Sequence, residues 1–349
     1  MKGSTGTHEV TPSEGLAVRA TAGCVGAVYL PVDLDGLVPD TTLEFPLYFQ
    51  SAPGYFVLLQ GPGAEFTTLH MGRLRDSRVT TLWVPDADHH LYERHVERHL
   101  VALLAAQRAP ARKAALLYSA ARTTLASVLA DPRHTDAAPR TRQVAEELAR
   151  WLHREPDAMG YMGALMARDY DTVRHSINVT VFATSLAVAA GVRDADHLQD
   201  FTHGALLHDV GKSRVPRELI TKPGAYTERE LALMRTHVSE GEQILQRDGR
   251  LSALGMVAVS QHHERMDGGG YPRRTPGAAL HMFGRITAIC DVYDALTSDR
   301  SYKRAMSGAD ALQLMTTHMS AHFDQDLLRT FIRALHAPRP QPASVDCAA

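Results

Sequence analysis

The stretch HHERMDGGGYP, residues 262–272, sets two adjacent histidines and a glutamate directly ahead of three glycines, a tyrosine and a proline. Read as a helix end running into a turn, it delivers two imidazole nitrogens to one place. Gly268, Gly269 and Gly270 let the backbone that follows lie against a bulky neighbour with no Cβ in the way, and Tyr271 and Pro272 then form one wall of a cleft. A tight turn that merely packs has the same composition, so the choice rests on what the rest of the chain brings to the histidines.

Upstream, ALLHDVGKSRVP (205–216) reads as a helix with Phe201, Ala205 and His208 on one side. The helix reaches Gly211, taken as its C-terminal breaker, and carries His208 and Asp209 on its last turn with Lys212 just beyond. A carboxylate has two oxygens, so Asp209 can bridge two cations, and Lys212 can set a compact positive charge on a phosphate. The dipeptide His-Asp alone is weak evidence.

In KPGAYTERELALMRTHVSEGEQIL (222–245), Thr227 and Glu230 form a capping box, and Leu231, Met234, Val238, Gly241 and Leu245 form a buried stripe beside His237. In DYDTVRHSINVTVF (169–182), His175 shares a helical face with Val179 and Phe182. A lone histidine at either place reads as a core residue held by a hydrogen bond. Asp171, four residues before His175, reads equally as the N-cap of that helix or as a ligand. In FGRITAICDVYDALTSDRSYKRAMS (283–307), Asp291 shares its face with Gly284, Thr287, Ala288 and Ala295, small residues that leave room for an ion. Ile286, Ile289, Tyr293 and Leu296 face elsewhere as packing residues. Arg300, Lys303 and Arg304 follow, a basic group that by itself is a solvated helix end complementing the dipole.

Taken in order, RHS, HDVGK, KPG with YT, the His237 helix, HHERMDGGGYP and DVYDALTSDRSYK resemble the HD-GYP domain, a subgroup of the HD metal-dependent phosphohydrolase superfamily. The resemblance covers about residues 165–310. It departs from the common pattern at Gly269, Ser301 and Asp171, and none of these removes a core ligand.

The resemblance implies an all-α HD-domain fold. It implies metal ligands at His175, His208, Asp209, His237, His262, His263 and Asp291, with Asp209 bridging two divalent ions and Asp171 adding a third. Nitrogen and oxygen donors without thiolate suit iron or manganese, which the family favours, without excluding zinc or nickel. The implied reaction is hydrolysis of a cyclic dinucleotide, cyclic di-GMP, to pGpG and GMP. In it Asp209 and Lys212 serve catalysis, and Lys212, Gly270, Tyr271, Arg300 and Lys303 hold substrate. Two other readings stand beside it: a weakly active or inactive cyclic-dinucleotide receptor whose GYP surface docks signalling proteins, and a phosphodiesterase for cyclic GMP-AMP.

Composition limits the alternatives. With 37 Lys plus Arg against 39 Asp plus Glu, the chain has no basic field for long nucleic acid. Cys24, Cys290 and Cys347 have no CxxC spacing, which argues against a disulfide frame. The start has no apolar signal-like run, and the most apolar stretch, 177–192, contains Asn178 and hydroxyls and reads as a buried helix rather than a membrane span. The expectation is a cytoplasmic protein without membrane insertion, able to form a homodimer.

The chain divides into a flexible tail (1–17), a small β-rich or α+β domain that reads equally as a regulatory or dimer-contact module or as a plain structural cap on the helical domain (18–88), a helical linker (89–155), the mainly α catalytic domain (156–336) and a frayed tail (337–349). In the second of these, strands are expected in AVRAT, GAVYLPVDL, LEFPLYFQ, YFVLLQ and VTTLWVP, with a helical insert at TTLHMGRLRD.

Overall fold

The computed structural model describes residues 28–132, 137–155, 157–166, 171–247, 249, 251–299 and 304–336. The expected tails at 1–17 and 337–349 and the run AVRAT lie outside them. Two compact units divide between Leu103 and Leu104.

The first unit is built from β1 (Tyr29–Asp33), β2 (Thr41–Thr42), β3 (Leu47–Ala52), β4 (Tyr55–Gln60), β5 (Glu65–Phe66), α1 (Thr68–Asp76), β6 (Thr81–Pro85) and α2 (His89–Arg98). An antiparallel sheet runs in the order β1-β6-β3-β4, and β2 pairs with β5. Alternation along the strands sets its two faces. Val32, Leu47, Leu82 and Val84 are buried. On the other face Tyr29, Tyr48, Phe56 and Trp83 interlock, with Tyr29 stacked on Phe56 at 4.2 Å. Tyr92 and Val96 of α2 are buried, and the Tyr92 ring meets Phe45 edge-on at 5.8 Å. Helix α3 (Leu100–Ala106) spans the division.

The second unit is helical: α4 (Pro110–Ala130), α5 (Ala137–Arg154), α6 (Ala158–Leu165), α7 (Thr172–Ala189), α8 (Ala195–Leu206), α9 (Arg217–Ile220), α10 (Glu228–Arg235), α11 (His237–Arg247), α12 (Ala253–Gln261), α13 (Met282–Thr297), α14 (Gly308–Thr317) and α15 (Gln325–Leu335). Helix α7 is central, packed against α8, α13, α4, α5 and α15. Its apolar run is the buried helix expected: Ile177, Val179, Val181, Ala183, Leu186 and Ala187 are enclosed, and Thr184 meets Thr202 of α8 at 3.0 Å so that no hydroxyl there is stranded. Among the described residues no helix is long and apolar enough to cross a membrane. Phe201 of α8 stacks on Phe283 of α13 at 4.2 Å, and burying a ring of this size contributes roughly 1.5–3 kcal/mol.

Start signals are local. Asp194 accepts from the His197 amide at 2.8 Å, Ser252 from the Gly255 amide at 3.1 Å, and Thr227 and Glu230 form the expected capping box.

Two close backbone approaches position the functional ends of these helices. A Cβ on Gly204 would stand 2.0 Å from the Gly255 carbonyl oxygen, so the C-terminal end of α8 and the first turn of α12 cross in backbone contact. A Cβ on Gly211 would stand 1.9 Å from the His237 carbonyl oxygen.

Here the structure corrects the sequence reading of Gly211. Helix α8 stops at Leu206, His208 and Asp209 lie in the turn after it, and Gly211 sits in a short 3-10 segment, Val210–Arg214, outside the left-handed region. The glycine serves the approach to α11 rather than ending α8. The expected stripe on 227–245 is likewise divided. The chain breaks at Thr236 between α10 and α11, so Val238, Gly241 and Leu245 are buried while Leu231 is 38% exposed.

Candidate metal centre

Five segments of the second unit converge. His175 lies on the first turn of α7, His208 and Asp209 follow α8, His237 opens α11, His262 and His263 follow α12, and Asp291 lies in α13. All but His263 are buried. His237, His262 and His263 place one nitrogen each within a single ligand-sized cluster, and His175, His208 and Asp209 form a second.

Asp209 stands between the two. Its Oδ2 faces His175 Nε2 and His208 Nε2, both at 3.5 Å, while its Oδ1 faces His237 Nε2 at 3.4 Å and His262 Nε2 at 3.9 Å. Asp291 spans the same gap, with Oδ1 at 3.0 Å from His175 Nε2 and Oδ2 at 3.4 Å from His263 Nδ1.

The far nitrogens of the rings are committed, which fixes what the near ones present. Nδ1 of His208, His237 and His262 donates to the carbonyls of Ala205, Met234 and Val259, at 2.8, 2.7 and 2.8 Å, so each Nε2 turns its lone pair inward. His175 is held differently: Nδ1 donates to Asp294 Oδ2 at 2.6 Å, and Asn178 Nδ2 donates to the other Asp294 oxygen at 2.8 Å. Asp294 is buried, and a carboxylate behind an imidazole raises its basicity as a ligand.

Burial pushes His237 and His262 down to about 4 and moves His208 and His263 in the same direction. These rings are neutral donors at neutral pH. Burial alone would raise the Asp209 carboxyl, but the Lys212 ammonium at 2.5 Å overcomes it and holds Asp209 ionised, well below the usual carboxylate range.

His208 Nε2 and Asp209 Oδ1 are buried polar atoms without a hydrogen-bond partner. A stranded buried group costs about 1–3 kcal/mol, so two of them facing neutral imidazoles and an ionised carboxylate fit a divalent cation by position and by donor chemistry.

The remaining expected site residues divide. Asp171 is the N-cap of α7, accepting from the Arg174 amide at 2.9 Å and pairing with the Arg174 guanidinium at 3.1 Å, with its side chain about half exposed. It belongs to neither donor cluster. Tyr271 stacks on His263 with ring centroids 4.6 Å apart. The close approach at Gly270 is to the chain itself, since a Cβ there would stand 2.6 Å from the His263 carbonyl oxygen. Gly268 is left-handed, at φ 72°. Arg300 and Lys303 lie outside the described residues.

Sequence reasoning missed four residues. Asp294 and Asn178 had a signal, each lying three positions from a candidate ligand on the same helix face. Glu264, buried, accepts from the Arg273 and Thr275 amides at 2.7 and 3.0 Å and ties the glycine turn down. Arg235 lies over the Tyr271 ring at 5.0 Å, which no string announces.

A helical fold and two clusters of imidazole and carboxylate donors sharing one aspartate define the class, a metal-dependent phosphohydrolase. The chain belongs to the HD domain family, whose family model matches residues 152–327, and within it to the HD-GYP subgroup. It is 31% identical over 318 residues to cyclic di-GMP phosphodiesterase PA4108 of Pseudomonas aeruginosa, a match covering 85% of this chain and 76% of that one. It is 34% identical over 170 residues to 3'3'-cGAMP-specific phosphodiesterase 2 of Vibrio cholerae, covering 48% of this chain and 32% of that one. Among solved structures, Bd1817, an HDG"Y"P protein from Bdellovibrio bacteriovorus, matches 88% of this chain and 99% of its own with a TM-score of 0.63 at 17% identity, which shows the shared fold.

Proposed function

We propose that this chain is a cyclic di-GMP phosphodiesterase that opens the cyclic dinucleotide to pGpG and carries it on to GMP. Two divalent ions would be held by His175, His208, Asp209, His237, His262, His263 and Asp291. The observation that carries this reading is the divided Asp209 carboxylate, with each oxygen facing its own pair of imidazoles. Support for the substrate comes from the relative named for cyclic di-GMP, which matches 85% of the chain, whereas the cyclic GMP-AMP relative matches 48%.

Iron or manganese suits the nitrogen and oxygen donors. Two ions rather than three agree with an Asp171 already engaged as a helix cap and with Arg174. When bound, such ions polarise a phosphoryl oxygen and lower the pKa of water.

The chain's own groups do the rest. Committed Nδ1 protons keep His175, His208, His237 and His262 in one tautomer and one orientation, so these rings need no reorganisation when substrate arrives. Lys212 keeps Asp209 anionic and stands beside it as a positive charge for a phosphoryl oxygen, compensating the charge that develops during attack. Tyr271, stacked on His263, walls the cleft, and Arg300 and Lys303 match the family positions that hold the ligand's phosphates. Both donor clusters belong to the second unit, which leaves the first for a regulatory role.

Asp209→Asn tests the reading. An amide has one oxygen and one N–H2 group and cannot accept on both sides. Turnover of cyclic di-GMP by metal-loaded protein, followed as pGpG by chromatography, is expected to fall about 10³-fold or more. Retained turnover removes the proposal.

A further inference from the structure

Resting on the phosphodiesterase reading, we infer that Arg235 is a substrate-recognition residue that binds the phosphate of the cyclic dinucleotide that is not under attack. Arg235 ends α10, two residues before His237, and lies over Tyr271, whose ring stacks in turn on His263. This short relay joins an exposed guanidinium to the donor cluster.

Among the described residues no hydrogen bond or ion pair involves the Arg235 side chain, and the positions three and four before it on α10, Ala232 and Leu231, carry no charge to pair with it. An exposed cation–π contact contributes only about 0.5–1 kcal/mol, a weak hold on a cation beside the donor cluster. Among the described residues nothing engages its five guanidinium donors, and their fork matches two phosphate oxygens.

The charges divide accordingly. Lys212 is bound to Asp209 at the bottom of the site, so it serves the phosphate at the donor clusters. A cyclic dinucleotide carries a second phosphate across its ring, and that doubly ionised ligand has a place for a cation displaced from the centre in addition to Arg300 and Lys303. Arg235 supplies one on the Tyr271 side, its guanidinium 5.0 Å from the centre of that ring.

The test compares two diesters on holoenzyme. Cyclic di-GMP has two phosphates and bis(p-nitrophenyl) phosphate has one. Arg235→Ala is expected to lower the ratio of kcat/KM for cyclic di-GMP to that for bis(p-nitrophenyl) phosphate by about tenfold or more, and to weaken equilibrium binding of cyclic di-GMP by a similar factor. Arg235→Lys, which keeps the charge without the fork, recovers part of both.

A ratio unchanged in Arg235→Ala, because both substrates suffer alike or neither does, overturns the inference. So does an Arg235→Lys variant no better than alanine. Those results leave the phosphodiesterase reading standing. Wild-type protein that neither binds nor hydrolyses cyclic di-GMP ends both.

Discussion

Asp294→Ala probes the support of the centre rather than its donors, and the structure fixes what the change should cost. Asp294 is buried and accepts from His175 Nδ1 at 2.6 Å and Asn178 Nδ2 at 2.8 Å. Alanine leaves both donors enclosed and unpaired. At about 1–3 kcal/mol for each stranded group, the loss is about 2–6 kcal/mol. Without its partner the His175 ring is also free to turn or change tautomer, and metal affinity is expected to fall about 10–100-fold. Asp294→Asn should behave differently. Asn178 Oδ1 has no hydrogen-bond partner, so this amide can rotate and accept from the introduced N–H2 while the introduced oxygen keeps the His175 proton. Only the charge assistance is then lost, about 1 kcal/mol. Urea unfolding of metal-free protein measures the first quantity, and metal content after dialysis against limiting manganese measures the second. An alanine variant as stable and as metal-rich as wild type, or an asparagine variant as damaged as the alanine one, would refute the reasoning.

Gly204→Ala should destabilise the second unit by about 3 kcal/mol or more, since the added methyl meets backbone at Gly255 and neither helix can yield without moving the His208 and His262 ends; thermal unfolding and metal content should fall together. His203, buried and hydrogen-bonded to Thr141 at 2.9 Å, is pushed by burial down to about 4 from 6.5. Its folded pKa is depressed, so its stabilising contribution is complete above pH 6.5 and drains away as pH falls toward 4, by about 1.4 kcal/mol per pH unit and about 3 kcal/mol in all. His203→Gln should flatten the stability profile by about one proton's worth in that window; a slope equal to wild type contradicts the assignment. Glu264→Ala unties the Arg273 and Thr275 amides and should raise KM for cyclic di-GMP more than it lowers metal content, read by kinetics beside metal analysis.

What the sequence made legible follows from what local strings encode. His208 with Asp209, and His262 with His263, are neighbours in the chain, so any helix end delivering one delivers both. The capping box at Thr227 and Glu230 formed as read, and the apolar run 177–192 is local too, forming a buried helix that stops at Ala189, three residues short of its end. Asp171 stayed ambiguous because the residue types that cap helices are those that bind cations, and only its Arg174 contacts reveal the cap.

Asp294 escaped notice because its partners lie on α7, 116 and 119 residues away, and the α7–α13 packing that joins them is not written in either string. Gly211 announced a need for glycine without saying whether a turn or a close approach required it. Arg235 depended on the break between α10 and α11, where the buried stripe reads as continuous.

The central claim is that one aspartate joins two cation sites. Anomalous diffraction from manganese-loaded crystals tests it directly. Two peaks are predicted, both within coordination distance of Asp209, one on the side of His175 and His208 and the other on the side of His237 and His262. A single peak, or a pair of which only one touches Asp209, would contradict it.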